Sequence, residues 1–345
     1  MGMLFQKSGL LTTVQDLGRT GYQKDGFSVS GVMDRRSAII ANMLVDNPEN
    51  EAVLEFMLVG PTIKFTSSTI IAITGGNFEP MINGKPAPMY TAIYANRGDV
   101  LELKFAKTGI WGYLSFSSKL DVPVVMGSRS TNIKCKIGGN HGQKIEKGEQ
   151  VWFRIKKRYI TSFLSRTIEP EDFSQKKKTI RVVLGPQDDY FQKKGIETFF
   201  SEDYLITEES DRMGYRLDGP YVAHKDGADI ISDGIPLGAI QIPSHGKPIV
   251  MLADRQTTGG YAKIGTVISV DIPAFVQSKE GTAIHFEKVS VETAQRLYME
   301  QEKDYDAIRK RIHRPCKEVI EPRLTAKRIE KLYTKQELQE DETWI

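Results

Sequence analysis

The sequence contains very little cysteine, and this scarcity limits the kinds of protein it can encode. Only Cys135 and Cys316 occur among its 345 residues. Two cysteines cannot form the network of disulfides that holds small secreted domains together, and no Cys/His spacing matches a zinc site. We therefore expect reduced thiols in a cytosolic protein without a metal site.

Excess charge and long apolar segments are also missing. The 47 basic and 44 acidic residues leave a net charge of +3, which does not indicate a nucleic-acid or membrane-surface partner. No stretch approaches the ~18 apolar residues of a membrane span, and the start, MGMLFQKSGL, lacks the basic and apolar regions of a signal peptide. These absences predict a cytoplasmic protein that binds neither nucleic acid nor membranes.

The common catalytic and nucleotide-binding motifs are absent as well. The sequence has no GxxxxGK(S/T) phosphate loop, no GxGxxG string after a strand, no HExxH helix and no GxSxG nucleophile elbow. It also lacks a biotin-attachment string of the AMKM type. If the protein takes part in ATP- or biotin-dependent chemistry, we therefore expect a partner chain to contribute the rest of the site.

What the sequence does have is a high density of glycine, proline, aspartate and arginine between residues 210 and 261. The three strings are SDRMGYRLDGP (210–220), SDGIPLGAIQIP (232–243) and DRQTTGGY (254–261). Glycine lets the backbone approach a ligand closely, and an Asp beside an Arg can hold the guanidinium ready for a planar acid. This composition predicts a site built on loops.

Several residues in and beside these strings have side chains suited to binding. The predicted catalytic residues are Asp211, Arg212, Asp254 and Arg255. Glutamine offers a paired donor and acceptor to an amide, and the groups of a Thr-Gly segment can face an oxyanion. The predicted substrate- or nucleotide-binding residues of this half are Gln187, Gln241, Gln256, Thr257, Thr258, Gly259 and Gly260. The structural alternatives are an ion pair that braces a turn, a strand glutamine facing solvent, and a plain turn.

Short segments rich in β-branched residues alternate with turn residues, which indicates a mainly β fold. The predicted strands are 69–74, 100–105, 112–116, 180–184, 249–252, 266–272 and 283–289. In the second of them Leu101, Leu103 and Phe105 alternate with polar residues, as on a half-buried strand. Two helices are predicted, one that begins after an Asp34 N-cap and one over Val291–Ile312.

The length of the chain indicates more than one domain, because 345 residues exceed the usual size of a single hydrophobic core. The polar segment between 156 and 179, with Pro170 and a run of three lysines, is typical of a linker. We predict an N-terminal domain at 1–165, a C-terminal domain at 178–290 and a charged, helical tail at 291–345.

The N-terminal half carries strings of its own. They are GLLTTVQDLGRTGY (9–22), SGVMD (30–34), GGN (75–77) and GSRST (127–131). Together with the C-terminal strings, in the same order and over nearly the whole chain, they resemble the KipA family. Its members are also known as the C subunit of 5-oxoprolinase or the second subunit of allophanate hydrolase, and they are related to the carboxyltransferase part of urea carboxylase. Asp16, Arg19 and Arg129 from these strings join the predicted binding residues.

The resemblance implies a fold of two cyclophilin-like β-barrel domains with a few helices. It also implies a function: one subunit of an ATP-dependent 5-oxoprolinase, which opens 5-oxoproline to L-glutamate with ATP and Mg²⁺. A KipI-like subunit and a lactam-cleaving subunit would be its partners. Arginine and the Thr-Gly-Gly segment would stabilise phosphate charge, and a second arginine would hold the substrate carboxylate. We expect little activity from this chain alone.

Two alternative functions stay open. The first is a biotin-dependent carboxyltransferase subunit of the urea carboxylase type, with the biotin carried on another chain. The second is a non-enzymatic regulator that binds and antagonises a KipI-like inhibitor of a histidine kinase. The enzyme and the regulator share one physical partner, so only an activity assay with all subunits present separates them.

Overall fold

The computed structural model describes residues 1–314, and their first half consists mainly of short strands joined by turns. The strands are β1 (Gly2–Lys7), β2 (Leu11–Gln15), β3 (Val53–Met57), β4 (Thr62–Phe65), β5 (Thr69–Gly75), β6 (Met81–Ile82), β7 (Lys85–Pro86), β8 (Ile93–Ala95), β9 (Val100–Glu102), β10 (Trp111–Phe116) and β11 (Gln150–Trp152). Most are rich in β-branched and aromatic residues, which favour the pleated, half-buried surface of a sheet. Helix α1 (Arg35–Leu44) lies between β2 and β3 in the chain.

These strands form two sheets that share one core. The first sheet has the order β11-β1-β4-β9-β6-β7 and the second the order β2-β3-β10-β5-β8. Apolar side chains from both sheets form a single buried cluster, as in a sandwich. It includes Phe5, Ile63 and Leu101 from the first sheet and Leu54, Phe56, Ile73 and Phe116 from the second.

Helix α1 packs on the second sheet. As predicted, Asp34 is its N-cap, and the Asp34 side chain accepts a hydrogen bond from the N–H of Ser37 at 2.9 Å. Ile40 and Leu44 of α1 belong to the same buried cluster as Ile70 of β5. Since alternate residues of a strand face opposite sides, β5 is buried on both faces, one toward the helix and one toward the shared core.

The second half of the described chain forms a barrel. Its elements are β12 (Lys177–Leu184), α2 (Lys193–Ser201), β13 (Asp203–Ile206), β14 (Gly214–Asp218), β15 (Asp229–Gly234), β16 (Ala239–Gln241), β17 (Ile249–Met251), β18 (Thr258–Tyr261), β19 (Lys263–Val267), α3 (Ile272–Val276), β20 (Ala283–Lys288) and α4 (Val291–Ile312). Seven strands close in the order β12-β19-β16-β17-β14-β13-β20, with β12 and β20 paired in parallel. Closure leaves the barrel without exposed edges, while β15 and β18 form a separate two-stranded ribbon.

The predicted fold class is confirmed: the protein is mainly β, with few helices and a closed barrel of the cyclophilin-like kind. The predicted C-terminal helix covers the observed α4. The strand predicted at 266–272 is wrong beyond Val267, because the chain turns there and α3 begins at Ile272. Helices α2 and α3, which are only nine and five residues long, were not predicted.

The prediction that Phe105 lies on the buried face of a strand is also wrong. Leu101 and Leu103 are buried as predicted, but the strand ends early and Phe105 is 59% exposed. Its ring lies 5.3 Å from the Nζ of Lys279, which is a cation–π contact. The alternating pattern of 100–105 therefore holds only for its first residues.

The two halves pack directly against each other. Buried Gln277, which follows α3, accepts hydrogen bonds from the N–H groups of Ile110 and Trp111 at 2.8 and 3.0 Å. The Nε2 of Gln277 donates to the carboxylate of Asp34 at 2.8 Å. The indole N–H of Trp111 donates to the hydroxyl of Tyr215 at 2.9 Å. Polar contacts as well as apolar packing thus hold the barrel on the sandwich.

Residues 1–313 belong to one compact unit, and the division into domains at 1–165 and 178–290 stays a prediction. The charged tail predicted for 291–345 begins with α4, whereas its part beyond residue 314, with Cys316, lies outside the described residues. Cys135 is exposed and free. Within residues 1–314, no helix combines the length and the apolar character needed to cross a membrane.

Candidate functional site

An open cleft on the barrel collects residues from all three C-terminal strings. The cleft has a volume of about 430 Å³, and we call it the barrel cleft. Three predicted site residues line it: Asp211, Gln241 and Gln256. The other lining residues are Glu209, Met213, Gly214, Arg216, Pro243, Ser244, His245, Ile249, Met251 and Tyr261.

Asp211 shapes one wall of the barrel cleft. Its Oδ1 accepts hydrogen bonds from the N–H groups of Met213 at 2.7 Å and Gly214 at 3.2 Å. Such bonds from an aspartate to the backbone just after it close an Asx turn. The turn leads into β14, where the exposed Arg216 stands between two buried neighbours and lines the same cleft. Arg216 was not predicted as a site residue, and its Nε lies 3.5 Å from the carboxylate of Glu209, which lines the same cleft.

Gln241 places an unsatisfied amide at the cleft. The residue is 2% exposed, and its Nε2 has no hydrogen-bond partner among residues 1–314. A buried donor without a partner costs about 1–3 kcal/mol. Gly259 makes room for this amide, since a Cβ there would lie 3.0 Å from the Nε2 of Gln241 and 2.7 Å from Ile235. The Nε2 of Gln256 lies 3.6 Å from the same Cβ position, so two carboxamides converge on one glycine.

The Thr-Gly-Gly segment is a strand. Thr258 and the two glycines belong to β18, which pairs with β15 so that Asp233 lies opposite Gly259. Neither Gly259 nor Gly260 is among the glycines with positive φ. Successive N–H groups of an extended strand point to opposite sides and do not converge on one anion, as they do in a phosphate-binding nest. The segment therefore forms no phosphate-binding nest, and its role in nucleotide binding stays a prediction.

Gln187 and Thr257 lie outside the lining of the barrel cleft. The Nε2 of Gln187 donates to Asp233 at 3.2 Å, and its Oε1 accepts from the N–H of Lys263 at 3.2 Å. The Nζ of buried Lys263 lies 3.1 Å from the same carboxylate and lowers the pKa of Asp233. The carbonyl of Thr257 accepts the N–H of Ile235 at 3.0 Å. These contacts hold the ribbon on the barrel.

Arg212 is buried between the two halves and fully paired. It forms an ion pair with Glu55 of β3, while its Nε donates to Asp254 at 2.7 Å and its Nη2 to the carbonyl of Gly31 at 2.7 Å. Burial alone would lower the pKa of Arg212, but the carboxylates of Asp254 and Glu55 raise it above its ordinary value. The geometry of Arg212 and Asp254 is that of an ion pair that braces the fold, and their catalytic role stays a prediction.

Arg255 has a similar sequence context but different surroundings. It is 7% exposed, and its Nε and Nη1 donate to the carbonyls of Ile235 and Leu252 at 2.8 and 3.1 Å. No carboxylate among residues 1–314 offsets its charge, and burial lowers the pKa of Arg255 to about 10. It lines a second cavity, which shares no residue with the barrel cleft.

In the N-terminal half, Asp16 ties two strings together. Its Oδ1 accepts from the hydroxyls of Ser128 and Ser130 at 2.7 and 2.6 Å, and its Oδ2 from the N–H of Arg129 at 2.6 Å. The side chain of Arg129 donates to the carbonyl of Val122 at 3.3 Å. The aspartate thus organises the GSRST loop, while Arg129 contributes its backbone to that contact.

Arg19 is completely buried but incompletely bonded. Its Nη2 and Nε donate to the carbonyls of Ser130 and Val125 at 2.9 and 3.2 Å, and its Nη1 has no partner among residues 1–314. Burial lowers the pKa of Arg19, and the carboxylates of Asp16 and Asp254 act in the opposite direction. The influence of Asp254 means that the N-terminal and C-terminal Asp/Arg strings approach each other where the halves meet.

The structure therefore separates the predicted residues. The barrel cleft holds Asp211, Gln241 and Gln256, whereas Arg212, Asp254 and Arg255 lie where the halves meet. Glu55 was not predicted as a site residue, and its only signal was a carboxylate inside the otherwise apolar strand VLEFM. Arg216 and Tyr261 were not predicted either, although they lie inside the quoted strings. Among residues 1–314, no group of three His, Cys, Asp or Glu side chains is arranged to hold a metal ion.

Comparison with known proteins relates this site to a family. A family model described as "Carboxyltransferase domain, subdomain A and B" matches residues 25–288. The chain belongs to this family. The matched region contains the whole barrel cleft and most of the sandwich, and the resemblance inferred from the strings is confirmed.

Two similar proteins are each named as the C subunit of 5-oxoprolinase. The one from Haemophilus influenzae is 33% identical over 298 residues, which cover 86% of this chain and 94% of that protein. The one from Escherichia coli K12 is 32% identical over 307 residues, or 89% of this chain and 97% of that protein. The chain thus matches nearly the full length of both.

A solved structure extends the likeness to a larger enzyme. The crystal structure of the K. lactis urea amidolyase superposes with a TM-score of 0.82 and 29% identity, covering 89% of this chain and 20% of that one. The urea amidolyase of Lachancea kluyveri is 33% identical over 315 residues, which are 85% of this chain and 17% of that protein. This chain is similar to one part of those enzymes.

Proposed function

We propose that this protein is one subunit of a cytoplasmic, ATP-dependent 5-oxoprolinase, which opens 5-oxoproline to L-glutamate. The observation that carries the proposal is the match to 94% and 97% of the length of two proteins named as the C subunit of that enzyme. A KipI-like subunit and a lactam-cleaving subunit are its partners in the proposal. The barrel cleft is the part of this chain that receives the substrate.

The carboxamides of the barrel cleft suit the ring of the substrate. A lactam presents an N–H donor and a C=O acceptor side by side, because the ring holds the amide cis. A glutamine side chain offers the complementary acceptor and donor, and Gln241 has a buried amide nitrogen without a partner among residues 1–314. We assign Gln241 and Gln256 to the lactam edge. The exposed guanidinium of Arg216, in the same cleft, is the group suited to the substrate carboxylate. Its Nε lies 3.5 Å from the carboxylate of Glu209, and the substrate would compete with this exposed pair.

Ring opening is a hydrolysis. Water adds to the lactam carbonyl carbon, the ring C–N bond breaks, and the nitrogen takes a proton and leaves as the amine of glutamate. Amide resonance makes that carbon a poor electrophile, so the proposed reaction is coupled to the conversion of ATP and water to ADP and phosphate. Since the Thr-Gly-Gly strand forms no phosphate-binding nest, we place ATP and Mg²⁺ on the partners in this proposal. This chain holds and orients the lactam.

Reconstitution of the complex tests the proposal. The chain combined with both partner subunits, ATP, Mg²⁺ and 5-oxoproline is expected to form glutamate, and the chain alone very little. Gln241→Ala removes the amide and is expected to lower kcat/KM about tenfold or more, the scale of one lost hydrogen bond to a substrate. Gln143→Ala, at an exposed glutamine outside the cleft, is the matched control.

Two outcomes contradict this assignment. Rapid glutamate formation by the isolated chain would mean that it needs no partner. Full activity of the Gln241→Ala complex, at wild-type levels of folded protein, would mean that the lactam does not bind at this amide.

A biotin-dependent carboxyltransferase subunit is the second candidate, favoured by the description of the family and by the similarity to urea amidolyases. Biotin, carried on another chain, would supply a carrier for the transferred carboxyl group. Its cyclic urea has the same adjacent N–H and C=O edges as a lactam, so Gln241 and Gln256 suit it equally well. Avidin separates the candidates, because it sequesters biotin: loss of the reconstituted activity with avidin favours the carboxyltransferase, and unchanged glutamate formation favours the oxoprolinase.

A further inference from the structure

A second cavity lies where the sandwich, the barrel and α4 meet. Its volume is about 320 Å³, and α1, α3 and α4 all contribute to its walls. It shares no lining residue with the barrel cleft. Buried Arg255 is part of its lining, and we call it the junction cavity.

The charges around the junction cavity do not balance. Arg36 and Glu49 line it, but each is engaged in ion pairs with residues that do not. This leaves Arg35, Arg255 and Glu302, for which residues 1–314 provide no ion pair. Counted over the lining residues alone, three arginines face two glutamates, an excess of one positive charge.

Arg255 is held with one donor left over. Its Nε and Nη1 are fixed by the carbonyls of Ile235 and Leu252. No residue within 1–314 accepts a hydrogen bond from its Nη2, which is not among the fully buried atoms and keeps access to solvent. A charged group buried without a counter-charge is costly, and the side chain is only 7% exposed. An anion in the junction cavity would supply the counter-charge and would replace water as the acceptor at the accessible Nη2.

Most of the remaining lining is apolar. Leu237, Leu252 and Ile272 of the barrel face the cavity together with Tyr298 of α4. An inorganic anion would leave this surface without contacts, whereas ligand sites commonly combine a few placed polar groups with apolar walls. The lining therefore matches a molecule with one carboxylate and an apolar body.

We propose that the junction cavity binds a small monocarboxylic acid, with its carboxylate between Arg255 and Arg35 and its apolar body against Leu237 and Ile272. This site is separate from the barrel cleft, and the proposal does not depend on the 5-oxoprolinase function. Since the walls come from three elements, an occupied cavity ties the sandwich, the barrel and α4 together. A ligand that binds only the folded state also stabilises it.

Calorimetric titration of the full chain tests the proposal. The probes are benzoate and hexanoate; phosphate lacks the apolar body and 1-hexanol lacks the charge. We expect saturable binding of the carboxylates at one site per chain, and binding of both controls at least about tenfold weaker. Arg255→Gln is expected to weaken carboxylate binding at least about tenfold, because it removes the buried charge.

Arg255→Gln also loses hydrogen bonds to backbone carbonyls, so it could weaken binding by destabilising the fold. Two further variants distinguish this effect from the loss of a binding group. Arg35 is exposed, so Arg35→Gln is expected to leave the melting temperature unchanged and to weaken binding severalfold. Arg296→Gln removes a charge from α4 outside the cavity and should bind like the wild type. Wild-type affinity in both Arg35→Gln and Arg255→Gln, or phosphate binding as tight as hexanoate binding, overturns the proposal. Because these titrations use the isolated chain, their failure leaves the oxoprolinase proposal intact.

Discussion

Arg212 and Arg255 come from the same kind of sequence string, and they are buried to a similar extent, at 6% and 7% exposure. Their surroundings nevertheless differ. Arg212 meets the carboxylates of Glu55 and Asp254, whereas Arg255 meets only backbone carbonyl oxygens. The pKa of Arg212 is accordingly raised, and that of Arg255 is lowered to about 10. Arg212 is thus part of an internal ion pair, whereas Arg255 is a buried charge without an ion-pair partner among residues 1–314.

The aspartate beside each arginine does not decide this difference. Asp211 uses its Oδ1 to close its own turn, and Asp254 pairs with Arg212 rather than with its neighbour Arg255. Adjacent side chains on an extended or turning backbone often point apart, so a neighbour in sequence is a poor guide to a partner in space. Partners that are distant in sequence, Glu55 from the other half and Asp254 from another string, therefore decide which arginine remains open to a ligand.

The largest expected loss of stability comes from breaking the ion pair between Arg212 and Glu55. Arg212→Met leaves the carboxylate of Glu55, which is 1% exposed, buried without its counter-charge. Removing one partner of a buried ion pair costs about 3–5 kcal/mol of unfolding free energy. Urea denaturation of the wild type, Arg212→Met and Arg212→Met/Glu55→Leu measures it. The double variant should recover part of the loss, and a cost below about 1 kcal/mol for Arg212→Met alone would refute a strong pair.

Glu55 also shows what the sequence could not predict. It lies 157 positions before Arg212 in the chain, and no local pattern connects residues so far apart. The mainly β fold and α4 were predictable, because alternation and a three-to-four spacing of apolar residues are local signals. Helix α3 was not, because a five-residue helix has too few turns to show a period.

The barrel cleft was predictable in composition but not in geometry. Gln241 and Gln256 were selected as amide-binding residues from the strings that contain them. That the amide nitrogen of Gln241 is buried without a partner among residues 1–314 follows from the close approach of Gly259 on the ribbon. This approach depends on how the ribbon packs on the barrel, which is a tertiary property and leaves no trace in residue spacing.

Buried Lys178, like Arg255, has no carboxylate ion-pair partner among residues 1–314. The second largest expected effect is the contribution of Lys178 to the pH dependence of the unfolding free energy. Its Nζ donates to the carbonyl of Ala274 at 2.8 Å, and burial lowers the pKa of Lys178 to about 8 from an ordinary value of 10.5. Between these values the unfolded chain binds more protons, so stability rises with pH. Relative to Lys178→Met, the wild-type unfolding free energy should rise by about 2–3 kcal/mol over this range. Denaturation at several pH values measures the difference, and a constant difference would contradict the lowered pKa.

Arg255→Lys is expected to cost less than Arg212→Met. Lysine keeps the positive charge but cannot donate to the carbonyls of Ile235 and Leu252 in the same fixed plane. The loss of one or two such bonds corresponds to about 1–2 kcal/mol, measured by the same urea denaturation. If Arg255→Lys proves more destabilising than Arg212→Met, the unpaired arginine is the more important brace, and the comparison is reversed.

The smallest contribution to stability is expected from an arginine that has a carboxylate partner but is exposed to solvent. Arg296 and Glu300 form an ion pair at 2.7 Å on the surface of α4, with side chains 61% and 53% exposed. Water screens such a pair, and pairs spaced four residues apart on a helix typically contribute about 0.3–0.5 kcal/mol. A double-mutant cycle with Arg296→Ala, Glu300→Ala and the double variant isolates the coupling, which should shrink further in high salt. A coupling above about 1 kcal/mol would mean that a carboxylate partner stabilises an arginine strongly even in water. The stability that Arg212 gains from Glu55 would then come from the presence of the carboxylate alone, and burial of the pair would add nothing to it.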